Sequence, residues 1–156
     1  MALRPYQPPG SPHEFDIVAY DGHDKPVLVV EIKRNGDIRQ FDQLVRDTEY
    51  YIAHSRRPAP FFLIANPETI YLFKRDGGDT SKPAHEFGAA DVLRRYDESY
   101  GKNPVYEHYL ASLIQIWLND VADNWRSKSP PGVDVFEQLD LLDAIKEGYL
   151  ALDASL

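Results

Sequence analysis

Asp16 lies in the segment EFDIVAY, and Glu31 and Lys33 close the segment PVLVVEIK. Both segments are apolar and rich in β-branched residues, so these three ionisable side chains stand out. Strand side chains alternate between faces, which puts Glu31 and Lys33 on one side and Leu28, Val30 and Ile32 on the other. On the first segment Asp16, Val18 and Tyr20 share a face. Pairing Tyr20 with Val27 and Val18 with Val29 sets Asp16 opposite Glu31, and directly opposed residues have Cβ atoms ~4.5–5.5 Å apart. Two carboxylates so placed repel one another, and a divalent cation relieves the repulsion; oxygen ligands of this kind suit Mg²⁺ or Mn²⁺. Such an ion polarises a phosphoryl oxygen and lowers the pKa of a bound water, while Lys33 is positioned to orient that water or to stabilise developing charge. The chemistry would be phosphodiester hydrolysis. The competing reading is a surface Glu–Lys pair with Asp16 nearby, worth ~0–1 kcal/mol to stability.

The elements that must position these residues follow from patterning. Segments 14–20 and 26–33, separated by the turn-prone DGHDKP, predict a β-hairpin. Gly36 and Asp37 break the second strand, and Asp37 is a candidate N-cap for a helix over 37–54 whose Ile38, Phe41, Leu44, Val45 and Ile52 fall on one side. FFLIAN and TIYLFKR predict two more strands joined at Pro67-Glu68, the first apolar enough to be covered on both faces. Residues 76–87 read as a polar loop and 88–97 as a short helix. Helical spacing of Val105, Tyr109, Leu113, Ile116, Trp117, Val121 and Trp125 predicts a helix between Pro104 and Trp125. Val135, Leu139, Leu142, Ile145 and Tyr149 predict another over 134–150, after the breaker SPPG. The resulting expectation is an α/β domain with a mixed sheet, flanking helices and a helical C-terminal extension. Its divisions are an extended lead-in at 1–12, a core at 13–100, and an extension at 101–156 packed on the core or on a partner.

The chain has 156 residues, the length of one domain, and contains no cysteine. Disulfides, thiolate metal sites and cysteine nucleophiles are thereby excluded. No apolar run is long enough to span a membrane, and the proline-rich start lacks the apolar core of a secretory signal, so a cytoplasmic setting is expected. The net charge of −8 argues at first against a nucleic-acid partner. Five of those charges, however, lie in the stretch from Gly132 to Leu156, which carries Asp134, Glu137, Asp140, Asp143, Glu147 and Asp153 against Lys146. Arg34, Arg39, Arg56 and Arg57 are candidates for a basic rim that contacts phosphates, or else belong to solvated turns. Trp117, Trp125 and the tyrosines between 96 and 109 have the spacing of core or subunit packing, and a homodimer is one use of them. No base-reading motif and no P-loop appears.

Asp16, fourteen residues, then Glu31-Ile32-Lys33 resembles the active-site signature of the PD-(D/E)XK nuclease superfamily, the restriction-endonuclease-like fold. More closely, FDIVAYDGHDKPVLVVEIKR, the helix after it and PFFLIANPETIYLF resemble the N-terminal nuclease domain of type I restriction enzyme R subunits and small stand-alone relatives, over residues 13–75. The resemblance implies a metal-dependent nuclease acting on DNA in restriction, defence or DNA processing. Asp16 and Glu31 would be the metal ligands for Mg²⁺ or Mn²⁺, and Lys33 the base or charge stabiliser. It equally allows an inactive subunit of the same fold that serves binding or assembly in a restriction or repair complex. Three departures from the family pattern are visible. Phe15 stands where proline is usual. Asp47 occupies the slot of a glutamine that precedes Tyr51 in many relatives; Gln40, at nearly the same helical angle as Tyr51, is the candidate replacement, whereas Gln43 points away. The helix and strand that usually precede the aspartate are not seen in the Pro-rich lead-in; they are absent, replaced by the C-terminal helices, or lost with a late start codon.

Overall fold

The computed structural model describes residues 12–33, 38–75 and 82–156, with the side chains of Ile38 and Arg39 also outside the description. Asp37 as an N-cap, most of the lead-in at 1–12 and part of the loop at 76–87 therefore lie outside the described residues. The hairpin forms as predicted, from β1 (Glu14–Tyr20) and β2 (Pro26–Ile32). Helix α1 (Ile38–Ala53) follows, then β3 (Phe61–Ala65), β4 (Thr69–Lys74), β5 (His85–Gly88) and the short α2 (Ala89–Leu93). The C-terminal third comprises α3 (Glu107–Asp123), α4 (Val133–Gln138), α5 (Leu142–Lys146) and β6 (Tyr149–Ser155).

These strands make one mixed sheet in the order β5-β4-β3-β2-β1-β6. Only β2 and β3 run parallel, as the crossover through α1 requires; the other neighbours are antiparallel. Helix α1 covers one face, setting Val45 and Ile52 on Val18, Val29, Phe62 and Phe73. The remaining helices cover the other face around Ile17, Leu28, Val30, Leu63, Trp117 and Phe136. Every residue of β2 is buried, which explains its unbroken apolar run up to Glu31.

Three expectations need correction. The loop expected at 76–87 contains β5, a four-residue edge strand paired with β4. A continuous helix over 134–150 does not form. Asp140 takes a left-handed backbone at φ 59° and Leu141 N–H returns to Phe136 O at 2.9 Å, so α4 ends in a reversal and α5 starts afresh. The C-terminal extension is not wholly helical either. Its last strand, β6, pairs with β1 along the length of β1, because β1 otherwise leaves its outer backbone groups unpaired at a sheet edge. The sheet thus runs across the boundary expected at residue 100. Among the described residues no helix is long and apolar enough to cross a membrane. Of the aromatics assigned to packing, Trp117 and Tyr100 are buried, while Trp125 and Tyr106 are exposed.

Asp120 fixes the end of α3. Its carboxylate is fully buried and accepts Tyr96 Oη–H at 2.6 Å and the N–H groups of Arg126 and Ser127 at 2.9 and 3.1 Å. Burial opposes its ionisation, but the bonds from Tyr96, Arg126 and Ser127 outweigh burial and hold it below the usual carboxylate range. A lowered folded-state pKa contributes stability that is present above the unfolded value of ~3.9 and is lost as pH falls through the folded value. Asp120→Ala is expected to lose about 2–4 kcal/mol in urea unfolding at neutral pH, and the gap to wild type is expected to close as pH drops below ~4. Asp143→Ala, at an exposed position, should stay within about 0.5 kcal/mol of wild type.

Candidate functional site

The hairpin register is close to the arithmetic read from the sequence. Ile17 pairs with Val30, Val18 with Val29 and Ala19 with Leu28. A bulge then shifts Tyr20 onto Pro26 in place of the expected Val27. The extra residue explains why Val27 and Leu28, neighbours in sequence, both enter the same core cluster.

At the other end of the hairpin, Asp16 and Glu31 come together, though not as a plain face-to-face pair. Ile17 and Val30 are the last backbone partners described there. Beyond them, Asp16 Oδ2 accepts the N–H of Ile32 at 2.7 Å, and Glu31 Oε1 accepts the N–H of Asp16 at 3.3 Å. Each carboxylate therefore takes a backbone donor of the opposite strand where the paired register has ended. Consistent with that local splay, Phe15 packs on the α1 side whereas Ile17 packs on the opposite side; strict alternation would put both on one face.

Glu31 is only 3% exposed and lies on the α1 side with Val29, whereas Asp16 is half-buried. Its Oε2 faces His13 Nε2 at 3.4 Å. The His13 ring is held by Phe15 at its edge and by Tyr51 of α1, stacked in parallel with centroids 4.0 Å apart. His13 and Tyr51 therefore link the carboxylates to the helix. In the sequence the nearness of His13 to Asp16 is the available signal for a place at the site; its packing on Tyr51 is not legible there. Lys33 is half-buried just beyond β2, and its N–H continues the parallel ladder to Ala65 O at 2.8 Å.

The other candidates are spread more widely. Gln40 is exposed in the first turn of α1, and Gln43 is tied to Asp47 and Arg46 on its outer side. Arg34 and the side chain of Arg39 lie outside the described residues. Arg56 and Arg57 are exposed in the turn after α1. Arg57 donates to Asp24 O at 2.6 Å and lies over the Tyr20 ring, so it belongs to the hairpin-loop end of the sheet, opposite to the end that holds Glu31.

The donor chemistry fits a hard divalent cation. Among the described residues no group of three or more His, Asp or Glu side chains is arranged to hold a metal. Two carboxylates are nevertheless the protein contribution that Mg²⁺ commonly takes, with waters and substrate phosphate completing its octahedron.

The two carboxylates have separable structural duties, and this gives a stability test. Asp16→Ala removes the acceptor of the Ile32 N–H and is expected to cost about 1–3 kcal/mol, whereas Asp16→Asn keeps an amide oxygen there and should retain most of that. Thermal melts of the two variants in EDTA check the ordering.

No family model matches this chain, and no curated protein or solved structure matches it.

Proposed function

We propose that the chain is a metal-dependent nuclease that hydrolyses DNA phosphodiester bonds, with the restriction-endonuclease-like core that the resemblance implies, serving restriction, defence or DNA processing. The observation that carries this reading is the meeting of Asp16 and Glu31 where the hairpin splays. A nearly buried glutamate at the end of an apolar strand is costly, and a second carboxylate beside it raises that cost. Proteins keep such arrangements where the charge is used.

Asp16 and Glu31 would hold Mg²⁺ or Mn²⁺, which would polarise the scissile phosphate and acidify an attacking water. The β2–β3 ladder fixes the backbone of Lys33 two residues past Glu31. From there its ammonium would orient the water and offset charge as it builds on phosphoryl oxygen. The His13–Tyr51 stack holds the imidazole against Glu31 Oε2. Gln40, Arg34 and Arg39 follow Lys33 closely in the chain and are the candidates for phosphate or water contacts.

One observation favours the alternative of an inactive binding or assembly subunit. The Asp16–Ile32 and Glu31–Asp16 bonds give both carboxylates a structural use in the absence of any cation. Plasmid nicking in Mg²⁺ or Mn²⁺ separates the two readings. Cleavage should vanish in EDTA and fall at least ~100-fold in Lys33→Ala and Glu31→Gln, both still folded by circular dichroism. Nicking that is absent, or equal in wild type and variants, contradicts the nuclease reading.

A further inference from the structure

Four rings form a continuous series of contacts along α1, from its sheet-facing border at His13 to its exposed C-terminal end at His54. His13 stacks on Tyr51, Tyr51 meets Tyr50 edge-on with centroids 6.0 Å apart, and Tyr50 stacks on His54 at 4.1 Å. Tyr50 and Tyr51 are 58% and 40% exposed, while the core beneath them is filled by Val45 and Ile52. The rings are not needed to close that core. Their geometry is nonetheless fixed: residues 50 and 54 are one helical turn apart, and His54 Nδ1 lies 2.9 Å from Tyr50 O.

The two ends of this run have different chemistry. At one end His13 touches Glu31 of the candidate site. At the other, His54 is followed after one residue by the exposed Arg56, and then by Arg57, whose guanidinium turns to Asp24 O and Tyr20. Nearby carboxylates on α1 are engaged, Asp47 by Gln43 and Glu49 by Arg75. The exposed Tyr50 and Tyr51 therefore stand between the turn that carries Arg56 and the side of the sheet where a phosphate would be cut.

We infer that this run is a stacking platform for unpaired bases, so that the chain takes single-stranded nucleic acid. Unpaired bases present their faces to aromatic side chains regardless of sequence, whereas a duplex keeps those faces in its own stack. The inference rests on the nuclease reading only for what happens to the bound strand; the platform itself is read by binding.

The test is fluorescence anisotropy of the full chain in EDTA and low salt, the salt kept low because the net charge of −8 weakens any phosphate contact. The probes are labelled oligothymidylate, oligouridylate and a DNA hairpin duplex of matched length. Single strands should bind more tightly than the duplex. Tyr50→Ala and Tyr51→Ala should each weaken that binding roughly five- to hundredfold, while Tyr50→Phe and Tyr51→Phe keep it, and circular dichroism should report all four as folded. The thymidylate and uridylate arms tell DNA from RNA. Duplex binding equal to or tighter than single-strand binding overturns the inference, as do alanine variants that bind like wild type. A change of oligomeric state in the alanine variants by light scattering, without single-strand binding, also overturns it and makes the face a protein contact. Single-strand binding without any cleavage in Mg²⁺ or Mn²⁺ leaves the platform standing and removes the nuclease reading. Duplex nicking by alanine variants that also bind like wild type does the reverse.

Discussion

Beyond Ile17 and Val30, where their paired register ends, β1 and β2 are tied by two carboxylates, each accepting a backbone N–H of the opposite strand. The surrounding elements hold this clasp in place. Strand β2 is buried on both faces, and its end stays paired with β3 through Glu31, Ile32 and the Lys33 N–H, which holds it in place. Strand β1 is held from outside by β6, which keeps Asp16 against Ile32 although the inner ladder has ended. Helix α1 closes the side that Glu31 faces, and the Tyr51–His13 stack brings an imidazole to it. The splay leaves two acidic groups close together in a partly dry setting, where the energetic cost of their charges is highest and a cation is most effective.

Much of this was legible in the sequence where local patterning and burial agree. The hairpin, α1, β3 and β4 carry alternation, β-branched runs and turn residues that all point the same way. The register followed from matching apolar faces, and the single bulge at Tyr20 lies outside that logic because it depends on how Pro26 enters the strand. Strand β6 was not legible. Its sequence YLALDAS has no β-branched residue, and it is a strand because β1 offers an unpaired edge, a tertiary cause invisible in seven residues. The break between α4 and α5 lies in one left-handed aspartate, which helical periodicity does not register.

The site divides along the same line. That Asp16 and Glu31 would meet followed from strand spacing alone. That each would bond the other strand's backbone, and that His13 would lie between Glu31 and Tyr51, depends on how the strand end packs under α1, for which the residues give no local signal. The net charge of −8 takes a different meaning beside the fold. Most of it sits on the C-terminal elements, which pack chiefly on the face opposite α1, away from the aromatic run and the Glu31 side.

The nuclease proposal depends on the Asp16–Glu31 clasp taking up a cation. Crystals grown without divalent metal and then soaked in Mn²⁺ test it most directly, through the anomalous signal of the ion. One peak is expected within bonding distance of an oxygen from each of Asp16 and Glu31. Full diffraction data at saturating Mn²⁺ with no peak there, and with both carboxylates still bonded to the Ile32 and Asp16 N–H groups, would contradict it.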